Sequence, residues 1–432
     1  MVLNRLSEPS SKRGLGLWEE DSYGVSPFAL HQYYRSMDYL IEHKESIEQQ
    51  VFCQMRDLFC QSVDVVLFDT TSLVYYGEGE PKTEEPSPQK TEDSSPKQTP
   101  LLARGFSKAH RSGLKQIVVG VMMSKDGIPL AHEVFAGNTN DVSCFRQVID
   151  QLASKFKVGK VILVGDQGMI SQKNLDYLHE KKYEYILGYR MRTIPKKDRW
   201  MILSKADLRK VRKDLSWKEV IYRDQKLLVC YNPERAILDA EKREEILERI
   251  RAKIKDGTIL SLVDNPNYKK FLKIKGEKPK LDPEQIERDQ AYDGLYVLTS
   301  NTNFKGKEII EAYKDLWQVE HAFRALKTEL ETGPIYHWKD SRIRAHVMIC
   351  FLALVLRTIF YKKLRAEDPA ASYSDTFCSL RSIHAVSLKI KDQSMIIRTE
   401  LKPEALVALK ALKMSAPKRI LSSKSSFVVP RL

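Results

Sequence analysis

The stretch VDVVLFDT, from Val63 to Thr70, is an apolar run that ends on an acid, and KVILVG, from Lys160 to Gly165, is a second such run followed by Asp166. Both are rich in β-branched residues and have the length of one buried strand. Further strands are predicted at Gln116 to Met123, Ile128 to Phe135, Tyr183 to Tyr189 and Asp293 to Thr299. Helical periodicity separates several of these runs, so the sequence predicts an α/β core.

Two acids stand out because each comes at the end of a predicted strand. Asp69 follows VVLF and Asp166 follows VILVG. The carboxyl ends of strands are where α/β sheets usually place their sites. Two other acids, Asp64 and Asp293, are interpreted as structural, because Asp64 faces the opposite side of its strand from Asp69 and Asp293 begins its strand.

The composition is that of a folded, soluble and basic protein. The chain has 432 residues, with 71 Lys and Arg against 57 Asp and Glu, a net charge of +14 and a hydrophobic fraction of 42%. Such a surplus indicates nucleic acid as the leading partner, with a solvated basic surface as the alternative. The six cysteines form no CxxC pair, and no secretory signal precedes them. These features predict a protein of the reducing cytoplasm.

One apolar segment, Val347 to Leu356, raises the question of a membrane span. It has about half of the roughly 20 apolar residues that a spanning helix needs. We therefore predict a buried core helix here, and no membrane partner.

The composition along the chain suggests five regions. Residues 77–103 are rich in Pro and charge and poor in apolar residues, which predicts a disordered loop. Residues 190–290 are rich in Lys and Arg and interrupt the alternation of strands and helices. The predicted regions are a short helical N-terminal region at 1–60, the first part of the core at 61–189, an inserted subdomain at 190–290, the second part of the core at 291–364 and a C-terminal region at 365–432.

A long helix is predicted from about Lys307 to Glu331. Its apolar seam, with spacings of three and four, consists of Ile309, Ala312, Leu316, Val319, Phe323, Leu326 and Leu330. A second stripe runs beside it through Tyr313, Trp317, Glu320, Arg324, Lys327 and Glu331. The stripe fits either a salt-bridged solvent face or a functional face that carries one carboxylate among cations.

Asp69, Asp166 and Glu320 together offer the ligands for metal-assisted phosphodiester chemistry. Three carboxylates can bind two Mg²⁺ ions about 3.5 to 4 Å apart, which activate a water or a 3′-hydroxyl and stabilise the leaving oxygen. No general-base histidine is then needed. We interpret His110, His321 and His337 as packing or phosphate-contact residues and not as metal ligands.

Several motifs resemble one enzyme family. The segments FDTTS (Phe68 to Ser72), VGDQGMIS (Val164 to Ser171) and YKDLWQVEHAFRALK (Tyr313 to Lys327), followed by PIYHW, resemble bacterial insertion-sequence transposases of the DDE type. Gly105 to Asp141 also resembles that group. The closest resemblance is to the branch with the motif Tyr-x2-Arg-x3-Glu-x6-Lys. The resemblance extends from about Val63 to Leu364 and implies a ribonuclease-H-like mixed sheet with flanking helices, interrupted by an inserted, mostly β subdomain.

The resemblance also implies roles for individual residues. Asp69, Asp166 and Glu320 match the catalytic, metal-binding acids of the family. The motif's Tyr, Glu and Lys fall on Tyr313, Glu320 and Lys327, which implies that Tyr313 and Lys327 contact DNA phosphates. Leu316 stands where the motif has Arg. We take Arg324, nearby on the same predicted helix, as the candidate replacement for that phosphate contact.

The implied activity is DNA transposition. Family members cleave the inverted-repeat ends of their element and join the 3′ ends to target DNA, with two Mg²⁺ ions for which Mn²⁺ can substitute. Double-stranded DNA and a homodimer in a synaptic complex are the implied partners, and a nucleoid-associated cytoplasmic location follows. Two alternatives stay open, namely a ribonuclease-H-like endonuclease without strand transfer and an inactive or domesticated DNA-binding remnant.

Three features bear on DNA binding without deciding it. Only 68 residues precede Asp69, which leads us to expect an abbreviated end-recognition region. The basic stretches Arg190 to Lys213 and Lys269 to Lys280 fit phosphate contacts or a solvated face equally well. Trp200 and Trp217 fit a core position better than a wedge that stacks on a base.

Overall fold

The computed structural model describes residues 1–59, 65–77, 100–106, 113–156, 162–212, 214–256, 266–275, 278–390 and 393–421. The chain divides into two compact units. The first unit consists of Met1–Gly159 and Asp315–Leu432, and the second of Lys160–Lys314.

Among the described residues, the first unit combines six strands with most of the helices. Its helices are α1 (Val2–Ser7), α2 (Leu15–Glu20), α3 (Leu30–Glu42), α4 (Lys44–Phe59), α5 (Asp141–Phe156), α12 (Trp317–Thr328), α13 (Asp340–Glu367), α14 (Tyr373–Arg381) and α15 (Pro403–Ala411). Its strands are β1 (Val65–Val74), β2 (Gln116–Ser124), β3 (Pro129–Ala136), β12 (Ala385–Ile390), β13 (Gln393–Arg398) and β14 (Ile420–Leu421). Strands β12, β13 and β14 form a three-stranded sheet of their own.

Strands β1, β2 and β3 form an antiparallel meander in which β2 is central. Every residue of β2 is buried, as expected for a continuous apolar run. Asp69 pairs with Val121 and Val74 with Gln116, so the pairing continues well beyond Asp69. The strand predicted to end at Thr70 therefore continues to Val74, and Asp69 lies within β1 and not at its end. The partner strand explains the difference, because β2 pairs with the whole TTSLV segment.

Helix α13 forms the centre of the helical part of this unit. It packs against α1, α3, α12 and β3. Within the described residues it is the one helix long and apolar enough to cross a membrane, but 67% of its most apolar window is buried inside the protein. Met348 and Phe351 lie in one core cluster and Ala345 and Ile349 in another. The predicted buried core helix is thus confirmed.

The second unit has a six-stranded sheet and a separate hairpin. Its strands are β4 (Ile162–Gly165), β5 (Glu184–Tyr189), β6 (Arg209–Arg212), β7 (Leu215–Tyr222), β8 (Gln225–Tyr231), β9 (Leu272–Lys275), β10 (Lys278–Leu281) and β11 (Leu295–Ser300). Its helices are α6 (Gln172–Glu180), α7 (Trp200–Leu203), α8 (Pro233–Lys255), α9 (Pro266–Lys269), α10 (Pro283–Gln290) and α11 (Gly306–Lys314).

The strand order in this unit is β4-β5-β11-β8-β7-β6. Strands β4 and β5 are parallel, and the remaining neighbours are antiparallel. Strand β11, which follows the basic region in sequence, lies between β5 and β8. The mixed strands and flanking helices confirm the predicted α/β class.

The basic region at 190–290 differs from the expectation of a mostly β insertion. It contains five strands, but also the 23-residue helix α8 and the 8-residue helix α10. Leu247 and Ile250 of α8 pack on Phe271, so this helix has its own small core. Strands β6, β7 and β8 join the sheet of the second unit because β8 pairs with β11.

The helix predicted from Lys307 to Glu331 is two helices, α11 and α12. At the break, Gln318 N–H donates to the carbonyl of Asp315 and Val319 N–H to that of Leu316, bonds that span three residues where an α-helix spans four. Most of the predicted apolar seam is nevertheless buried: Ile309, Leu316, Val319, Phe323, Leu326 and Leu330 lie in the interior, and Ala312 is half-buried.

The predicted disordered loop at 77–103 lies outside the described residues from 78 to 99. At its end, Leu101 is buried and Ala103 pairs with Gln116. These last residues belong to the fold, because Gln116 at the start of β2 offers Ala103 backbone hydrogen-bond partners. Asp64 and His110 also lie outside the described residues.

Candidate active site

Asp69 is a half-buried acid on β1 in the first unit. Its Oδ1 accepts a hydrogen bond from the N–H of Thr70 at 2.6 Å. Strand alternation places Asp69 on the same face as Thr71 and Leu73. Thr71 and Leu73 line a small internal space together with Leu326 of α12, so this face of β1 is the one that α12 covers.

Glu320 lies on the first turn of α12, which packs on β1 and β2. The side-chain amide of Gln318 donates to the carbonyl of Lys125 in the turn between β2 and β3. Gly127 in that turn has φ +74°, and a Cβ there would lie 2.1 Å from Gln318 Oε1. The positive φ at residue 127 therefore favours glycine in this turn.

Glu320 thus lies on α12 between Gln318, which is bonded to the turn after β2, and Leu326, which lies near Thr71 and Leu73 of β1. This is the side of the sheet that Asp69 faces. Its side chain is exposed, while its neighbour Val319 is buried.

The predicted stripe on α12 is exposed along its length. Glu320, Arg324 and Lys327 are all exposed, and Trp317 retains 56% of its accessible surface. The first unit therefore presents an acid and two cations on one helical face. Glu331, the last member of the stripe, lies beyond the end of α12 at a positive φ of 44°.

Asp166 follows β4 directly in the second unit, as the sequence predicts. It is half-buried and precedes a 3₁₀ turn at Gln167–Met169, in which the Met169 N–H donates to the Asp166 carbonyl at 3.1 Å. Helix α6 then begins after Ser171, whose hydroxyl accepts from the Asn174 N–H at 3.1 Å. This N-cap fixes the start of α6 and so the segment that connects Asp166 to that helix.

Tyr313 of α11 contacts Asp166 directly. Its hydroxyl donates to Asp166 Oδ1 at 3.3 Å. The contact depends on a glycine in β5, because a Cβ on Gly188 would lie 2.7 Å from the Tyr313 hydroxyl and 2.8 Å from the Gln167 nitrogen. The structure thus brings together Tyr313 and Asp166, which come from two different segments that resemble the family, and adds Gly188 as the residue that leaves space for them.

Arg190 is a residue near this acid that the sequence reasoning treated only as part of a basic stretch. Its Nε donates to the carbonyl of Gln167 at 3.0 Å, and an Nη to that of Gly168 at 3.3 Å. Its position after β5 was a usable signal: parallel strands end at the same edge of a sheet, and β5 is parallel to β4, which Asp166 follows.

Asp293 has the structural role that the sequence suggested. Arg243 donates to both of its carboxylate oxygens, at 2.6 and 2.7 Å. Such a bidentate pair uses most of the acid's hydrogen-bonding capacity.

The histidines near the motifs pack against other side chains. His321 lies edge-on to Trp317, with ring centroids 6.1 Å apart, and burial lowers its pKa. His337 packs against Tyr34 and His346. Burial, together with the charges of Lys12, Arg342 and Arg5, lowers the pKa of His337 to about 4. These two rings are therefore neutral near pH 7.

The two tryptophans of the basic region differ in exposure. Trp200 is 68% exposed on the short helix α7, contrary to a core position. Trp217 is half-buried, and its indole lies against Gly306, where a Cβ would come within 2.2 Å of the ring.

The three predicted acids have the donor chemistry that Mg²⁺ prefers, since all are carboxylates and none is fully buried. Asp69 and Glu320 belong to the first unit and Asp166 to the second. Within the described ranges, no group of three or more His, Cys, Asp or Glu side chains is arranged to hold a metal ion. The residue types therefore fit Mg²⁺.

Comparison with known proteins gives one strong match. The sequence profile described as "Transposase DDE domain" matches residues 64–356. Among solved structures, the chain is similar to a piggyBac transposase in a synaptic complex with hairpin DNA, at 11% identity and a TM-score of 0.41, over 87% of this chain and 67% of that one.

A second similar structure is the Mos1 transposase in a paired-end complex with the left transposon end. The identity is 13% and the TM-score 0.19, over 34% of this chain and 41% of that one. No curated protein matches the chain. Because the profile covers more than half of the chain and includes Asp69, Asp166 and Glu320, the chain belongs to the transposase DDE domain family.

Proposed function

We propose that the protein is a DNA transposase that cleaves the ends of its insertion sequence and joins the freed 3′ ends to target DNA. The observation that carries the proposal is the family match over residues 64–356, which contains Asp69, Asp166 and Glu320. The local structure of each acid supports it: Asp69 lies in a buried strand, Asp166 follows another, and Glu320 begins the helix that covers the strand of Asp69.

The carboxylates of Asp69, Asp166 and Glu320 would hold two Mg²⁺ ions, or Mn²⁺ in their place. Bound there, such ions supply Lewis-acid activation of the nucleophile and stabilisation of the leaving oxygen. The Thr70 N–H donates to Asp69 Oδ1 and so orients that carboxylate, and Glu320 lies in the first turn of α12.

The same site would serve two displacements at phosphorus. In cleavage, the oxygen of a water bonds to the phosphorus, the bond from phosphorus to the 3′-oxygen breaks, and that oxygen leaves as a 3′-hydroxyl after taking a proton. In joining, this 3′-hydroxyl loses its proton and its oxygen bonds to a phosphorus of the target, the bond from that phosphorus to the target's own 3′-oxygen breaks, and that oxygen leaves as a 3′-hydroxyl after taking a proton. Because only the nucleophile changes, one set of acids can serve both steps.

The polar residues beside the acids would position the DNA. Tyr313 holds Asp166 through its hydroxyl. Arg324 and Lys327 are exposed on the helix of Glu320 and would contact phosphates near the scissile bond. With Leu316 buried where the motif has Arg, Arg324 is the replacement that we propose for the motif's phosphate contact.

The partners follow from this chemistry. Double-stranded DNA, as element ends and as target, suits a chain with a net charge of +14. Two ends must be held together to be joined to one target, which a homodimer in a synaptic complex would achieve. A nucleoid-associated cytoplasmic location would give access to the DNA.

The test is to incubate the purified protein and its Asp69→Ala variant with a duplex that carries the inverted repeats flanking its gene, with Mg²⁺ and separately with EDTA. Nicks at the 3′ ends and joined products that require both Mg²⁺ and Asp69 would establish the transposase. Nicks without joined products would indicate an endonuclease instead. Binding without cleavage in every condition would indicate a DNA-binding remnant and overturn the proposal.

A further inference from the structure

A cavity of about 620 Å³ lies in the second unit beside Asp166. Its volume falls within the roughly 300 to 1,000 Å³ of ordinary ligand pockets. Six Arg and Lys side chains and four Asp side chains line it. The cavity therefore has a surplus of two positive charges, and only one of its acids, Asp166, belongs to the proposed catalytic set.

The other three acids are already used by neighbours within the cavity wall. Asp293 is held by Arg243 through two hydrogen bonds. Asp289 pairs with Arg192 at 2.7 Å and with Lys270 at 3.6 Å. Asp239 accepts from the Gly294 N–H at 3.1 Å and lies 3.9 Å from Arg235. The negative charges of Asp239, Asp289 and Asp293 are thus offset by cations of the same wall and by a neighbouring backbone N–H.

Two cations of the cavity are not neutralised in this way. Arg190 donates to the carbonyls of Gln167 and Gly168, which are neutral groups. Lys242 on α8 is exposed and forms no ion pair with any residue that the structure describes. These side chains are the natural partners for an anion that enters the cavity.

Arg190 is also held in place before any ligand binds. Its two carbonyl contacts fix the plane of the guanidinium next to the turn that carries Asp166. A cation that is already oriented loses little side-chain entropy when it binds an anion, so its contribution to affinity is larger than that of a mobile lysine.

We propose that this cavity is a phosphate-binding subsite in which Arg190 and Lys242 hold one phosphate group adjacent to Asp166. The ligand class is a phosphomonoester or phosphodiester, either a phosphate of a DNA strand or a free phosphate. A strand separated from its complement can enter a concave site more readily than a duplex can. A role of this subsite in transposition rests on the proposed function.

Binding can be measured without catalysis, so the test does not depend on the transposase proposal. The probe is a fluorescent single-stranded 20-mer in EDTA, titrated at several salt concentrations. The test variants are Lys242→Ala and the double variant with Arg190→Gln. The matched control is Lys255→Ala, because Lys255 is an exposed lysine of the same helix and does not line the cavity. Thermal melting checks that each variant is folded.

We expect the double variant to bind the 20-mer about tenfold more weakly and to lower the slope of log K against log salt by roughly 1.4, about 0.7 for each lost single-strand phosphate contact. Lys242→Ala should give about half of that change in slope, and Lys255→Ala none. An equal loss in Lys242→Ala and Lys255→Ala, or no loss in either test variant, would overturn the subsite. If Arg190→Gln lowers the melting temperature, the double variant is set aside and the comparison of Lys242→Ala with Lys255→Ala decides whether the subsite exists.

A competition arm separates the two sources of phosphate. Inorganic phosphate is added against chloride at matched ionic strength. If it displaces the 20-mer from the wild type and not from the double variant, the subsite accepts free phosphate. If it displaces neither while the double variant still loses affinity, the subsite reads a phosphodiester of the DNA strand. If the binding test fails, the subsite proposal is wrong but the cleavage assay can still establish the transposase. If the cleavage assay fails, the binding test can still establish the subsite.

Discussion

The Tyr313 hydroxyl lies 3.3 Å from Asp166 Oδ1, across a gap that exists because residue 188 is glycine. The pair links α11 to the loop after β4. Through this hydrogen bond, Tyr313 of the motif helix holds the carboxylate of Asp166, which is one of the three proposed metal ligands.

Tyr313→Phe should lower the cleavage rate about tenfold, because a hydrogen bond to a charged group contributes roughly 1.5 kcal/mol or more. DNA affinity and the melting temperature should stay close to those of the wild type. Single-turnover cleavage with saturating DNA measures the rate. An unchanged rate would remove Tyr313 from the positioning of Asp166.

Gly188→Ala offers a second test of the same contact. The added methyl group would displace the Tyr313 hydroxyl, so the cleavage rate should fall at least as far as in Tyr313→Phe. The two changes act on one contact and should be non-additive, with the double variant no slower than Gly188→Ala alone. Additive losses would mean that Gly188 acts through the Gln167 backbone and not through Tyr313.

Glu320→Gln should reduce cleavage by about a thousandfold or more, because the substitution removes the charge of one of the three proposed metal ligands and keeps the shape of the side chain. DNA affinity in EDTA should be equal or higher, since one charge that repels phosphates is lost. Glu311→Gln is the control, because Glu311 is exposed on α11 and pairs only with Lys307 among the contacts that the structure describes, at 3.8 Å. A Glu320→Gln variant that cuts normally would exclude Glu320 from the site.

Arg357→Met should destabilise the first unit by about 2 to 3 kcal/mol. Arg357 is buried in α13, and it donates to both oxygens of Glu329 at 2.5 and 2.7 Å. Loss of one partner leaves the other charge uncompensated, although Glu329 is partly exposed, which limits the cost. Urea denaturation measures the change. Arg365→Met, at an exposed position of the same helix, should change stability by less than about 0.5 kcal/mol.

Stability should fall as the pH is lowered through the range in which free histidine titrates. Burial lowers the pKa values of His132 and His346, and that of His337 to about 4. A folded-state pKa below the unfolded value of about 6.5 means that the unfolded chain takes up protons first. The stability present at pH 7 is therefore lost between about pH 6.5 and pH 4.

Melting temperatures from pH 8 to pH 4 measure this loss, with His337→Gln as the comparison. His337 lies near Lys12, Arg5 and Arg342, all of which oppose its protonation. Removal of this titrating ring should make the melting curve less dependent on pH. An equally steep decline in the variant would assign the acid sensitivity to other groups.

The amino-acid sequence by itself determined the features that depend on local patterning. Apolar runs placed β2, β4 and β5 to within about a residue or two at each end. The apolar seam before and after Leu316 is buried as its spacing requires, because burial follows from periodicity alone.

Only the tertiary structure decided the features that depend on partners distant in sequence. Strand β1 continues past Asp69 because β2 pairs with it, and the apolar pattern of one strand contains no record of that pairing. The break between α11 and α12 falls within an unbroken apolar seam and has neither Pro nor Gly to mark it. Arg190 reaches the carbonyls after Asp166 because β4 and β5 are parallel neighbours, a relationship set by the sheet and not by either segment.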